Sequence, residues 1–215
     1  MDSIKRAQSN GITIAYQTFG EESATPVLLV MGLGTQMLGW DTDFCEMLAA
    51  RDHYVIRFDN RDMGLSTHLD ASPRGQPIAA FLGRQPPYLV PDMAQDAAGL
   101  IAGLGLESAH VVGISMGGCI SQSLALQHPE LVRSLTSISS STGSRRVGRP
   151  RLDIARHLLF RKPAKSRDEA IALSVDMLRR IGSPGYPFDL DRLRKVAGEA
   201  YDRGYDPAGG ARQFA

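Results

Sequence analysis

Short strand-like runs alternate with helical segments through much of this chain. The runs cover residues 26–30, 54–58, 110–114 and 132–138, and the helical segments cover about 38–51, 93–104 and 117–127. Continuous apolar strands between helices are typical of a parallel sheet that helices cover on both faces. Nearer the N-terminus, Asn10-Gly11 separates two strand-like runs, which predicts an antiparallel hairpin over residues 3–19. The predicted fold class is therefore α/β, a mostly parallel sheet flanked by helices, with an antiparallel N-terminal hairpin.

The character of the chain changes at residues 139–144, Ser-Ser-Ser-Thr-Gly-Ser. After them no strand-like run appears, and the apolar periodicity predicts three helices, at about 152–160, 167–181 and 190–203. We therefore expect residues 1–144 to form the N-terminal part of an α/β core and residues 145–215 to form a helical lid. Residues 145–151 include four arginines, and we expect this basic stretch to be a solvated linker into the lid.

Composition and charge argue against several classes of function. The chain has 24 Lys and Arg against 23 Asp and Glu, so no basic field indicates a nucleic-acid partner. Its longest apolar run, residues 27–34, is too short to cross a bilayer, and the first residues lack the apolar stretch of a signal peptide. Cys45 and Cys119 fall in predicted helices and are expected to be reduced thiols. We therefore expect a cytoplasmic protein with no nucleic-acid partner and no membrane partner.

Metal and cofactor motifs are missing from the sequence. No spacing of cysteines, histidines or carboxylates matches a metal site. Gly32-Leu33-Gly34 lacks the third glycine of a dinucleotide-binding loop. We therefore expect neither a metal nor a cofactor.

Residues 113–117, Gly-Ile-Ser-Met-Gly, join a predicted strand directly to a predicted helix. A G-x-S-x-G pattern at such a junction is typical of a nucleophile elbow, a tight turn in which the serine adopts strained backbone angles. Side chains two residues to either side would collide, so glycine is needed at both positions. The turn lifts Ser115 Oγ above the sheet edge, at a helix N-terminus that favours negative charge. Ser115 is therefore the candidate nucleophile; the alternative, an ordinary helix N-cap, needs no flanking glycines.

A glycine-rich loop, Met31-Gly32-Leu33-Gly34, follows the predicted strand 26–30. An acyl-transfer enzyme needs two backbone N–H groups directed at the tetrahedral oxyanion. One comes from the residue after the nucleophile, here Met116, and the other from the loop after an earlier strand, here Leu33. Leu33 and Met116 are therefore the candidate oxyanion-hole donors, although an ordinary glycine-rich turn is an alternative for the loop.

These motifs resemble those of the α/β-hydrolase superfamily. The resemblance is closest to small-molecule esterases, lactonases and methylesterases with D-x-R-G-x-G-x-S after the fourth strand. Here that stretch is residues 59–66, Asp-Asn-Arg-Asp-Met-Gly-Leu-Ser, which we expect to brace the rim of the site. Asp62 stands where many members have glycine, and Met31 where many have histidine. The resemblance implies a helical lid and hydrolysis of a small-molecule carboxylic ester or lactone through an acyl-enzyme on Ser115, without a cofactor.

The catalytic acid and the catalytic histidine cannot be identified. In this superfamily they follow the serine in the order acid, then histidine, on strands beyond the lid. Residues 139–215 contain no strand-like run, and none of the five histidines occupies that position. His68 and His157 are the two that the predicted elements could bring near the serine. A serine without a base is a poor nucleophile, so the mechanism is incomplete within these residues.

Three explanations of the missing groups compete. The chain is a fragment, a second polypeptide segment completes the fold, or catalysis has been lost. Without further strands, residues 132–138 would form a bare edge of a parallel sheet, which invites aggregation and favours the first two. Two alternative functions stay open, a non-catalytic binding protein for small molecules and another hydrolysis, of an amide or a C–C bond, on the same site.

Overall fold

A six-stranded mixed sheet is the centre of the structure, a computed structural model that describes residues 3–69, 87–144, 151–160 and 162–214. Its strands lie in the order β1-β2-β4-β3-β5-β6. The strands β4, β3, β5 and β6 are parallel, whereas β2 runs antiparallel to both β1 and β4. The predicted fold class is confirmed. The bounds are β1 Lys5–Ser9, β2 Ile12–Phe19, β3 Thr25–Val30, β4 His53–Phe58, β5 Ala109–Ile114 and β6 Val132–Ile138.

Seven α-helices are present in these residues, and three of them, α1, α2 and α3, pack on the two faces of the sheet. Alternate residues of β3 separate the two cores, because Leu28 packs with helices α2 and α3 whereas Leu29 packs with α1. No helix of the described part is both long and apolar enough to cross a bilayer. The bounds are α1 Thr42–Ala49, α2 Val90–Gly103, α3 Met116–Gln127, α4 Leu152–Phe160, α5 Arg167–Ile181, α6 Leu190–Gly204 and α7 Pro207–Phe214.

Two helices differ from their predictions. The helix expected from residue 38 begins at Thr42, because Met37–Gly39 forms a 3₁₀ turn and the Asp41 carboxylate caps the helix by accepting from the Asp43 amide. Helix α7 was not predicted at all, because two glycines lower its helix propensity. Tertiary contacts described below hold it in place.

Two predicted segments lie partly outside the described residues. The basic stretch 145–151 is described only at Arg151, which is exposed and pairs with Asp153. The loop expected at 59–91 is described up to residue 69 and again from residue 87, where it soon enters α2.

Strand β6 lies at the end of the sheet and is exposed along nearly its whole length. Its neighbour β5 pairs with it in parallel from Ala109 to Ile114. Leu135 and Ile138, whose side chains point to opposite faces, remain 39% and 37% exposed. Parallel strands are ordinarily buried on both faces. The described residues therefore end the sheet on a strand whose outer edge is unpaired and whose side chains are largely exposed, although α3 lies along one face.

Candidate active site

Ser115 occupies a sharp turn between β5, which ends at Ile114, and α3, which begins at Met116. Its φ of 55° and ψ of −122° lie in a region that non-glycine residues rarely adopt. The Ser115 amide donates to the carbonyl of Ile138 on β6, and its carbonyl accepts from the Gly118 amide, each at 2.9 Å. The residue is exposed. The backbone therefore holds the hydroxyl at the carboxyl edge of the sheet and at the N-terminus of α3.

The glycines on either side of Ser115 are required by close backbone packing. A Cβ on Gly113 would lie 2.2 Å from the carbonyl oxygen of Gly117. A Cβ on Gly117 would lie 2.2 Å from the carbonyl oxygen of Val30 on β3. Both clashes involve backbone atoms, which cannot rotate away. The structure thus supplies the steric reason for the G-x-S-x-G pattern at this junction.

The loop after β3, residues 31–36 and here called the β3 loop, lies directly against the serine. A Cβ on Gly32 would be 3.1 Å from the Ile114 carbonyl oxygen and 3.2 Å from Ser115 Cβ. Leu33 follows, and no hydrogen bond among the described residues uses its amide. Met116 opens α3, so its amide has no acceptor within the helix. The loop and the helix N-terminus thus bring both candidate donors to the neighbourhood of Ser115.

The loop after β4, residues 59–68 and here called the β4 loop, braces the β3 loop through one buried carboxylate. Asp59 is fully buried. It accepts from the amide of Met37 at 2.8 Å and from that of Leu65 at 3.0 Å, and it pairs with Arg203 of α6 at 2.9 Å. Asn60 adds a bond from its side-chain amide to the Met31 carbonyl at 2.9 Å. The Asp59 carboxylate therefore links the β4 loop and the residue that directly follows the β3 loop to the end of α6.

Asp62 departs from the glycine of the superfamily pattern, and the structure shows how the aspartate is accommodated. Its φ is 66°, in the left-handed region where glycine is favoured and aspartate is better tolerated than most residues. Its fully buried carboxylate forms a bidentate pair with Arg212 of α7, at 2.7 and 2.9 Å. The aspartate therefore serves to anchor the C-terminal helix to the β4 loop.

His68 is engaged away from Ser115. Its Nδ1 lies 2.8 Å from the carboxylate of Asp206, and its Nε2 lies 3.0 Å from the carbonyl of Gly64. Both partners are acceptors, so only the doubly protonated ring satisfies both bonds. Burial opposes the charged form, but the Gly64 carbonyl and the Asp206 carboxylate outweigh it and raise the pKa of His68. The geometry and the direction of the pKa shift therefore both favour the protonated form of His68.

None of the other four histidines contacts Ser115 either. His157 Nε2 lies 3.9 Å from a carboxylate oxygen of Asp176 on α5 and is buried without a hydrogen-bond partner among the described residues. His110 bonds to Ser134, and His128 bonds to Gln95. His53 lies at the opposite end of β4, and its Nδ1 is buried with no partner in the part of the chain that the structure describes. All five histidines belong to the described residues, so the site as described holds no histidine base.

One cluster has the composition of a metal site but is held together by an arginine. Ligand atoms of Asp62, His68 and Asp206 lie within 4.8 Å of one another. The Arg212 guanidinium donates to both carboxylates, at 2.7 Å and 3.0 Å. A metal ion would have to displace this buried cation from the two anions that it neutralises. The cluster fits an ion-pair network better than a metal centre.

Both cysteines are free thiols. Cys45 is fully buried, and this burial raises the pKa of its thiol to about 11. A thiol with so high a pKa carries almost no thiolate near neutral pH and is unreactive. Cys119 is half-buried beside Ser140.

The fold and the site agree with a match at the level of the whole family. The profile of the alpha/beta hydrolase fold family matches residues 25–174, more than half of the chain. The chain therefore belongs to the α/β hydrolase fold family.

One relative and two solved structures show what the chain is similar to. Rhodomycin D methylesterase DnrP of Streptomyces peucetius is 29% identical over 202 residues, which are 86% of this chain and 64% of that protein. The esterase RhEst1 from Rhodococcus sp. ECU1013 superposes with a TM-score of 0.73 at 22% identity, covering 99% of this chain and 72% of that one. The enol-lactonase from Burkholderia xenovorans LB400 gives 0.67 at 24% identity, covering 97% and 67%. The chain thus spans just under two thirds of the methylesterase, and the structural likeness establishes the fold.

Proposed function

We propose that this chain carries the nucleophile and the oxyanion hole of a serine hydrolase that cleaves a small-molecule carboxylic ester or lactone. The observation that carries the proposal is the position of Ser115. Ser115 has a strained φ of 55°, stands between two glycines whose positions leave no room for a Cβ, and lies exposed at a helix N-terminus. An ordinary N-cap serine has no need of that strain. The methylesterase similarity favours an ester among acyl substrates.

The chemistry follows the acyl-enzyme route. Ser115 Oγ attacks the acyl carbon while a base takes its proton. The resulting oxyanion accepts hydrogen bonds from the backbone N–H groups of Leu33 and Met116. The alcohol leaves with a proton from the protonated base, and water then hydrolyses the acyl-enzyme by the same steps in reverse order. No cofactor takes part in this route.

We propose that the base and its orienting acid come from polypeptide beyond the described residues. None of the five histidines bonds to Ser115 in the described residues. Strand β6 lies next to the serine turn, as the bond from the Ser115 amide to the Ile138 carbonyl shows, and its outer edge pairs with no other described strand. We propose that a further segment, from the same or a second polypeptide, pairs with β6 and supplies both groups. Residues 1–144 then form the N-terminal part of the core, and residues 145–215 form the lid.

The proposed setting is the cytoplasm, without nucleic-acid or membrane partners. The nearly neutral net charge and the two free thiols support it. A small-molecule substrate then reaches Ser115 from solution.

Covalent labelling tests the assignment of Ser115. The protein expressed from its complete reading frame is treated with a fluorophosphonate, and the adduct is mapped by mass spectrometry. We expect one adduct, on Ser115, and none in Ser115→Ala. The matched control is Ser123→Ala, a serine on the same helix that accepts a hydrogen bond from Gln127 and that should leave labelling unchanged. An adduct on another serine would contradict the proposal.

A second candidate function is a non-catalytic binding protein for small molecules. The observation that favours it is that none of the five histidines is hydrogen-bonded to Ser115 in the described residues, and that His68, His110 and His128 bond to other residues. The same experiment separates the two functions, because a binding protein without a base would show no rapid phosphonylation of Ser115.

A further inference from the structure

The side chain of Gln213, near the end of α7, joins the β3 loop to the β4 loop. Its Oε1 accepts from the amide of Gly34 at 2.9 Å, and its Nε2 donates to the carbonyl of Arg61 at 2.8 Å. The acceptor end and the donor end of the amide are therefore both used. Because 179 residues separate Gln213 from Gly34, this contact exists only in the tertiary structure.

The peptide bonded by Gln213 lies next to a candidate oxyanion donor. The Gly34 amide and the Leu33 carbonyl share one peptide plane, and that carbonyl accepts from Thr35 Oγ1 at 3.2 Å. Gly34 has a φ of 63° and Gly32 precedes Leu33, so the backbone on both sides can rotate at little steric cost. Close to Leu33, the loop is otherwise restrained by local bonds such as that from the Thr35 amide to the Gly32 carbonyl, at 3.4 Å. Loss of the Gln213 contact would therefore allow this part of the loop to change conformation and would re-aim the Leu33 amide.

Buried contacts fix the position from which Gln213 acts. Arg212 is 3% exposed and forms the bidentate pair with Asp62. Gly209 packs so closely on the β4 loop that a Cβ would lie 2.1 Å from the Asp62 carbonyl oxygen. Moving α7 would break a buried ion pair, which is strongly unfavourable. These contacts therefore fix the position of Gln213 relative to the β3 loop.

We propose that Gln213 is a positioning residue that holds the β3 loop in the conformation that directs the Leu33 amide at the oxyanion above Ser115. This inference rests on the proposed function of Ser115. Donors that are already oriented stabilise the transition state without reorganising during the reaction. Loss of Gln213 should therefore slow the chemical step more than it weakens substrate binding.

The test compares three variants in the protein expressed from its complete reading frame. Gln213→Met keeps the size of the side chain and removes both hydrogen bonds, whereas Gln213→Glu keeps an acceptor for Gly34. Gln127→Ala is the control, because Gln127 lies on α3 and its side chain bonds, within the described residues, to Pro91 and Ser123. If Gln213→Met does not fold, Gln213→Ala makes the same comparison.

The first measurement is hydrogen exchange of the Gly34 amide by NMR, with the Leu29 amide of β3 as internal reference. We expect exchange at Gly34 to become about tenfold faster in Gln213→Met, since one hydrogen bond protects it. Gln213→Glu should restore most of the protection, and Gln127→Ala should change nothing. Unchanged exchange in Gln213→Met would overturn the proposal.

The second measurement is catalysis, followed by the phosphonylation rate of Ser115 and by kcat and KM for an activated ester. We expect both rates to fall about three- to tenfold in Gln213→Met, with KM nearly unchanged and partial rescue in Gln213→Glu. Unchanged rates despite faster Gly34 exchange would also overturn the proposal. If Ser115 of the wild-type protein is not phosphonylated, the proposed function is wrong, and the exchange at Gly34 still decides whether Gln213 holds the loop.

Discussion

Replacement of Gly117 by alanine places a methyl group where the backbone leaves no room for one. The new Cβ would lie 2.2 Å from the Val30 carbonyl oxygen and 2.7 Å from that of Met31. Restoring ordinary contact would push α3 away from β3 by roughly 1 Å in a close-packed interior. Overpacking of this kind costs about 1–3 kcal/mol, and the better helix propensity of alanine offsets up to about 1 kcal/mol. Because both oxygens are backbone atoms, we expect an overpacking cost of about 3 kcal/mol, so that the free energy of unfolding falls by a net of about 2 kcal/mol.

A matched control isolates this clash from the general effect of a glycine-to-alanine change. Gly103 ends α2, and a Cβ there would meet only the Gln8 carbonyl oxygen, at 3.6 Å. Gly103→Ala should therefore be neutral or stabilise the protein by up to about 1 kcal/mol.

Urea denaturation followed by circular dichroism measures both variants. With a slope of about 2 kcal/mol per molar urea, the midpoint of Gly117→Ala should fall by about 1 M. A midpoint equal to that of the wild type, or an equal fall in Gly103→Ala, would refute the steric reasoning about the Ser115 turn.

Two further predictions concern pH and catalysis. His68 has a raised pKa in the folded protein, so its stabilisation is present below its ordinary value of about 6.5 and is lost as the pH rises through the folded value. The urea midpoint should therefore fall with rising pH more steeply in the wild type than in His68→Gln, and parallel pH profiles would contradict the protonated network around Asp206. Residues 1–215 alone should hydrolyse an activated ester at near-background rates, because loss of the base lowers kcat by about a million-fold in a well-studied triad. Turnover at ordinary enzyme rates would instead show that a base exists within these residues, and His68→Ala and His157→Ala would identify it.

Much of the fold could be predicted because its signals are local. The Asn10-Gly11 turn, with φ of 49° and 77°, is the backbone geometry that these two residues favour. The apolar runs at 26–30 and 54–58 became parallel strands of the sheet interior, because a strand that is buried on both faces carries apolar side chains on both. The place of Ser115 between a strand and a helix was likewise readable from neighbouring residues. The steric need for Gly117 was only partly readable, since the atom it avoids belongs to a distant strand.

The contacts that position the site could not be predicted from any local pattern. Gln213 and Arg212 lie in a glycine-containing segment that gave no helix signal, and their partners, Gly34 and Asp62, are 179 and 150 residues away. Likewise His68 stands on the expected edge of the sheet, but only the structure shows its ring turned to Asp206 and Gly64.

The sequence by itself therefore determined the fold class and singled out Ser115, whereas the tertiary structure decided which side chains surround that serine. The physical reason is the distance along the chain over which each kind of interaction acts. Strand, turn and helix preferences act between residues a few positions apart, and apolar spacing records them directly. Ion pairs and side-chain hydrogen bonds between distant segments depend on how whole elements pack, so the Asp62–Arg212 pair and the Gln213–Gly34 bond appear only once α7 is docked on the two loops.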